Sequence, residues 1–111
     1  MNQNNFQLTS KEPSNSVIIN VNHYKKSILV LKAVQHKLRL NMLVYIAKHQ
    51  PVTVTNIYNH FLLEQSAASQ HLAILRKIGI VNITRNGKFI YYAVNFDKLK
   101  TLNIIIEKLI N

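Results

Sequence analysis

Between Asn22 and Ile110 the apolar residues recur at helical spacing, except for one stretch with the alternation of strands. Ile28, Leu31 and Val34 mark one face of a first helix, and Leu29, Val30 and Ala33 widen it. Leu38, Met42, Leu43 and Ile46 mark a second run from Lys37 to Lys48, which Pro51 ends. Thr53 or Thr55 can cap a third helix, Thr55 to Leu62, whose Ile57, Tyr58 and Phe61 turn inward. After a turn near Leu63 and Glu64, a fourth helix carries Ala68, Leu72, Leu75 and Ile78 on one side, and Gly79 stops it. Two β-rich runs, Ile80 to Arg85 and Lys88 to Val94, flank Asn86-Gly87, the pair favoured in a type I′ hairpin turn. A last helix from Phe96 to Ile110 has Phe96, Leu99, Leu102, Ile106 and Leu109 in a stripe, broadened by Ile104, Ile105 and Ile110. Its first turn holds Asp97, where negative charge suits the helix dipole.

Residues 1–21 read differently. They are rich in Asn, Gln and Ser, with Pro13 breaking any helix, and predict a polar arm that is disordered or loosely docked. Val17-Ile18-Ile19 is an apolar island in it that either packs on the body or begins the first helix. The folded domain is expected over 22–111, mainly α with a small β-hairpin, in the order α-α-α-α-β-β-α. A length of 111 residues suits one domain with a modest core. The first and last helices are apolar over more of their circumference than so small a domain can bury, which points to a second subunit.

The side of the fourth helix opposite its apolar stripe bears Gln65, Ser66, Ser69, Gln70 and His71 near the helix start. These are short or planar hydrogen-bonding groups, the chemistry that reads base edges from a helix laid in a major groove. Charge points the same way. Fourteen Lys and Arg stand against four acids, a net charge of +10, which favours a polyanionic partner. Nucleic acid fits best, with an anionic membrane surface as the rival. Arg85 and Lys88 flank the tip of the hairpin; with Lys77, Arg76, Lys37 and Arg39 they are the candidates for neutralising phosphates. His71 either bonds a phosphate or fills the gap between helices.

Other chemistries are poorly served. Without cysteine there is no disulfide, thiolate metal site or thiol switch within the chain. The five histidines, His23, His36, His49, His60 and His71, are scattered without zinc-site spacing, and the expectation is no metal and no cofactor. No Gly-rich phosphate loop or nucleophile–base pair suggests an enzyme. The start lacks the apolar segment of a signal peptide, and no apolar run could span a bilayer, so a cytoplasmic protein is expected.

The run Leu31-Lys32-Ala33-Val34 through Arg39-Leu40-Asn41-Met42-Leu43 resembles the opening of ArsR-type winged-helix repressors. Ser66-Ala67-Ala68-Ser69-Gln70-His71-Leu72-Ala73-Ile74-Leu75-Arg76 resembles their recognition helix, and Gly79-Ile80-Val81, Arg85-Asn86-Gly87-Lys88 and Tyr91-Tyr92 their wing. The resemblance covers about residues 28–110. It implies a winged helix-turn-helix homodimer joined through the first and last helices, with an interface drawing on Ile28, Leu31, Leu99, Leu102, Ile106 and Leu109. It implies that Gln65, Ser66, Ser69, Gln70, His71, Lys77, Arg85, Asn86 and Lys88 meet double-stranded DNA, and that an inducer or partner protein releases a repressor from its operator. The chain departs from the family pattern in four places. Thr53-Val54-Thr55 stands where many members carry Cys-x-Cys, and Phe96, Lys98 and Leu109 where others bind metal. His36-Lys37-Leu38 replaces Asp-Pro-Thr, and Glu64 replaces a capping Ser. The competing expectation is a winged-helix protein-interaction module that does not read DNA sequence.

Overall fold

The computed structural model describes residues 4–12 and 14–111. The helix-breaking role expected of Pro13 lies outside the described residues. The elements in chain order are β1 (Asn5–Thr9), β2 (Ser16–Asn20), α1 (Val21–Gln35), α2 (Lys37–His49), β3 (Val52–Thr53), α3 (Val54–His60), α4 (Gln65–Lys77), β4 (Val81–Asn86), β5 (Phe89–Val94) and α5 (Phe96–Ile110). The chain divides into two units between Lys32 and Ala33.

In the first unit, Asn5–Thr9 and Ser16–Asn20 pair as antiparallel strands in the segment expected to be a disordered or loosely docked polar arm. Two local patterns account for it. Asn5–Thr9 alternates polar and apolar residues, and Ser16–Asn20 holds the β-branched run Val17-Ile18-Ile19, which forms strand and not the start of a helix. The register opposes Phe6 to Ile19 and Leu8 to Val17, so these four share one face. Asn20 ends the hairpin and caps α1, its Oδ1 accepting from the His23 N–H at 3.2 Å.

In the second unit α2, α3 and α4 enclose a core completed by the sheet. Met42, Ile46, Ile57, Leu72, Leu75, Ile80 and Val81 are fully buried, and no polar or charged residue is buried among the described residues. His36, extended at ψ 122°, separates α1 from α2. Thr53 caps α3, its side chain accepting from Asn56 N–H at 3.3 Å. Between α2 and α3, Tyr45 lies stacked between His49 and His60, with ring centroids at 4.4 and 4.1 Å.

The sequence did not announce β3. It pairs with β5, which also pairs with β4, giving the strand order β3-β5-β4. Gln50 reinforces this edge by accepting the Val94 N–H at 2.9 Å. The hairpin forms where expected, but its turn is one residue later. Asn86 pairs with Phe89, which leaves Gly87-Lys88 as the two-residue loop. Gly87 takes φ +62° at the first loop position, the place glycine occupies in a type II′ turn. The helices and this hairpin make a winged helix.

Gly79 ends α4 at φ +77°. Its N–H bonds Arg76 O at 3.0 Å and the Ile80 N–H bonds Leu75 O at 3.0 Å, the paired pattern of a Schellman cap. Asn95 caps α5 by accepting the Lys98 N–H at 3.2 Å and donates to Gly79 O at 3.1 Å, while the Lys98 ammonium bonds Ile78 O. Leu99 of α5 packs against the core. Leu102 and Ile106 are half-buried, and Phe96, Ile104, Ile105, Leu109 and Ile110 are exposed. No helix among the described residues is long and apolar enough to cross a membrane.

Leu72 is fully enclosed between α4 and its neighbours. Leu72→Ala should therefore lower the unfolding free energy by about 3 kcal/mol in a urea titration. A loss below about 1 kcal/mol would show that the core is not closed around this side chain.

Candidate nucleic-acid interface

The buried residues of α4 decide what the helix displays. Ala68, Leu72 and Leu75 are wholly buried along one side. At about 100° per residue, Ser66, Gln70 and Lys77 fall nearly opposite that side. Gln65, Ser66, Ser69, Gln70 and Lys77 are all exposed, whereas His71, on the flank, is half-buried. Glu64 stands at the N-cap in an extended conformation and makes no side-chain capping bond, so the cap that a Ser would supply is missing.

The wing continues this surface. Arg85, Asn86 and Lys88 are exposed at its outer end. The register opposes Arg85 to Ile90 and Ile83 to Tyr92, so Arg85 projects from the same sheet face as Tyr92, while Asn86 opposes Phe89 and faces the other way. Tyr92 lines a groove of about 370 Å³ with Ser69, Ala73, Arg76 and Lys77 of α4. The groove thus places two α4 cations against the sheet face that carries Arg85 farther out. Lys88 lies 5.6 Å from the centre of the Phe89 ring. Tyr92, named from the sequence only as part of the wing resemblance, was not among the expected contact residues, although strand alternation places it with Ile90 and Val94 on the inner face.

Arg39, one of the expected phosphate-neutralising cations, is also engaged within the protein. Its Nε donates to Ala33 O at 2.8 Å, and its Nη1 lies 3.2 Å from His71 Nδ1. His36 completes the cluster, its ring centroid 5.3 Å from that of His71. Burial pushes the His71 imidazole below the ordinary value of 6.5, with Arg39 and His36 lowering it further. Lys37 is exposed at the start of α2.

Of the expected interface residues, Ile28 and Leu109 are exposed, and Leu31, Leu99, Leu102 and Ile106 are half-buried. The broadening residues Ile104, Ile105 and Ile110 are exposed as well. Thr53, where the family resemblance would place a thiolate, serves as a helix cap. Among the described residues no group of three or more His, Cys, Asp or Glu is placed to hold a metal ion.

Comparison with known proteins gives concordant matches. Residues 36–82 match bacterial regulatory proteins of the arsR family. The transcriptional activator HlyU of Vibrio cholerae is 30% identical over 84 residues, covering 76% of this chain and 77% of HlyU. The transcriptional repressor PagR of Bacillus anthracis is 35% identical over 71 residues, covering 64% of this chain and 71% of PagR. The crystal structure of PagR superimposes with a TM-score of 0.60 at 33% identity, covering 81% of this chain and 97% of that one.

The lowered His71 value has a consequence for stability. Between the folded and unfolded values the unfolded chain holds more protons, so stability rises with pH there. The contribution is complete above 6.5 and is lost as pH falls through the lowered folded value. The urea midpoint should fall with acidification in that window, and less steeply in His71→Gln. Parallel profiles for the two proteins would mean that His71 titrates normally.

Proposed function

The chain belongs to the arsR family of bacterial regulatory proteins, and from that premise we propose that it is a homodimeric, sequence-specific DNA-binding repressor. The observation that supports this reading is the exposed polar side of α4, which a groove lined by Ser69, Ala73, Arg76 and Lys77 joins to Tyr92 of the wing. Its polar residues can meet base edges, and its cations can meet phosphates on either side. Gln65, Ser66, Ser69 and Gln70 occupy the exposed side of α4, where a groove-bound helix presents hydrogen-bonding groups. Gln70, nearly opposite the buried stripe, is the candidate for bidentate pairing with adenine. Lys77, Arg85 and Lys88, with Asn86 at the wing tip, supply backbone contacts, and His71 adds one from the flank.

Dimerisation through α1 and α5 is supported by exposed apolar residues on both helices, among them Ile28, Leu29, Ile104, Ile105 and Leu109. A two-fold dimer would read an imperfect inverted repeat with half-sites roughly 10 base pairs apart. Repression follows the sense of PagR, and HlyU, named an activator, marks the opposite possibility. A reporter under the upstream region of the chain's own gene should rise when the chain is deleted; a fall would assign activation. The exposed apolar helices also suit a protein-interaction module, and failure of the chain to bind duplex would favour that reading.

Fluorescence anisotropy against specific and random duplexes tests the site residues. Arg85→Ala with Lys88→Ala removes four cations from the dimer, and should weaken binding to both duplexes and reduce the slope of log affinity against log salt by about 4. An unchanged slope would remove the wing from the phosphate contacts. Gln70→Ala should cut discrimination between the duplexes by roughly tenfold or more while leaving random binding nearly intact; equal losses on both would make Gln70 a backbone contact.

A further inference from the structure

The cluster joining Arg39 to His71 contains more chemical information than its distances alone. A guanidinium carries five N–H donors and no acceptor, and it stays protonated. The Arg39 Nη1 contact at 3.2 Å therefore requires a lone pair on His71 Nδ1. A neutral imidazole with its lone pair on Nδ1 carries its proton on Nε2. The other end of Arg39 is held as well, because Nε donates to the Ala33 carbonyl at 2.8 Å, at the end of α1. The guanidinium thus spans from a backbone carbonyl to one ring nitrogen on α4. Among the described residues no hydrogen bond to His71 Nε2 occurs, so its N–H is available to an outside acceptor.

We propose that Arg39 is a positioning residue for DNA recognition: it fixes the tautomer and ring orientation of His71 so that the Nε2–H is presented to a phosphate oxygen of the bound duplex. The proposal rests on the reading of α4 as the DNA-facing helix. It reassigns Arg39, which acts through His71 and is not itself a phosphate contact. Lysine cannot replace it. An ammonium has the same charge but no planar fork, and one nitrogen cannot hold the Ala33 carbonyl and His71 Nδ1 in the geometry seen here. The charged and titratable groups around His71 are Arg39 and His36, both near the start of α2. Protonation of His71 would remove the acceptor that Arg39 uses, so the arrangement operates with neutral His71.

The test uses the full chain labelled with ¹⁵N at histidine, as wild type, Arg39→Lys, His71→Leu and the double variant. Above pH 7, long-range ¹H–¹⁵N spectra of the free wild type should show His71 in a single form protonated at Nε2. In Arg39→Lys its two nitrogen resonances should move towards each other as the tautomers mix. In duplex titrations at several salt concentrations, Arg39→Lys should weaken binding roughly tenfold with the salt slope unchanged. In the His71→Leu background the same substitution should cost nothing further. Unmoved His71 resonances in Arg39→Lys overturn the proposal. So do multiplicative losses in the double variant with a salt slope lower by up to about 2, one contact per subunit, which would make Arg39 a direct phosphate contact. If wild type binds no duplex while its His71 resonances respond to Arg39→Lys, the DNA reading fails and the proposed role fails with it, though the Arg39–His71 contact stands.

Discussion

Burial of Ala68, Leu72 and Leu75 sets the roll of α4, and the character of the exposed surface follows from it. Each buried leucine contributes on the order of 2 kcal/mol by leaving water. Turning the helix by one residue, about 100°, would lift these side chains out and press polar groups into a core that contains none. The helix therefore has one acceptable orientation. That orientation exposes Gln65, Ser66, Ser69 and Gln70 and leaves His71 on the flank, within reach of α2. The Schellman cap at Gly79 fixes where the helix stops, and the chain leaves it directly into Ile80 and Val81, both fully buried. Position along the axis and rotation about it are thus set by the same apolar contacts.

Much of this was legible in the residues. The period of Ala68, Leu72 and Leu75, the glycine stop and the last helix from Phe96 to Ile110 all appear as the sequence implies, because local propensity and tertiary burial agree there. The misses share a cause: each depends on a partner distant in the chain. The two-residue β3 has no pattern of its own and exists because β5 lies beside it. The turn shifts from Asn86-Gly87 to Gly87-Lys88 because the pairing of β4 with β5 opposes Val81 directly to the buried Val94, where the expected turn would oppose it to Tyr92. Arg39 reads from the sequence as one more surface cation; only the fold reveals that its Nε and Nη1 are engaged by Ala33 O and His71 Nδ1. The N-terminal hairpin was hidden by composition. Its many Asn, Gln and Ser residues mask the alternation of Phe6 and Leu8 and the β-branched run opposite.

The charge is distributed as unevenly as the apolar surface. Lys11 and Glu12 are the charged residues of the first twenty and cancel, so the whole excess of +10 lies from Val21 onward. The β1–β2 hairpin therefore adds nothing to the net positive charge. Its apolar residues Phe6, Leu8 and Val17 are half or more exposed. The hairpin thus offers exposed apolar side chains without net charge, whereas α1 and α5 carry both exposed apolar residues and lysines.

The sheet order β3-β5-β4 gives the wing two mechanical regimes. At its root, Tyr91 and Tyr92 of β5 are paired on both edges, with Val52 and Thr53 on one side and Thr84 and Ile83 on the other. Beyond Tyr91 the support from β3 ends, and Arg85, Asn86, Gly87 and Lys88 extend on two strands alone. The wing is a cantilever, clamped for its inner half and compliant for its outer half, and its cations sit on the compliant end. On the proposed DNA-binding reading, such a lever would keep the charges in the plane set by the root while letting them follow a phosphate backbone whose path varies with groove width. Tolerance of DNA shape would then reside in the outer four residues of the wing, and stringency in the rigidly seated helix beside it.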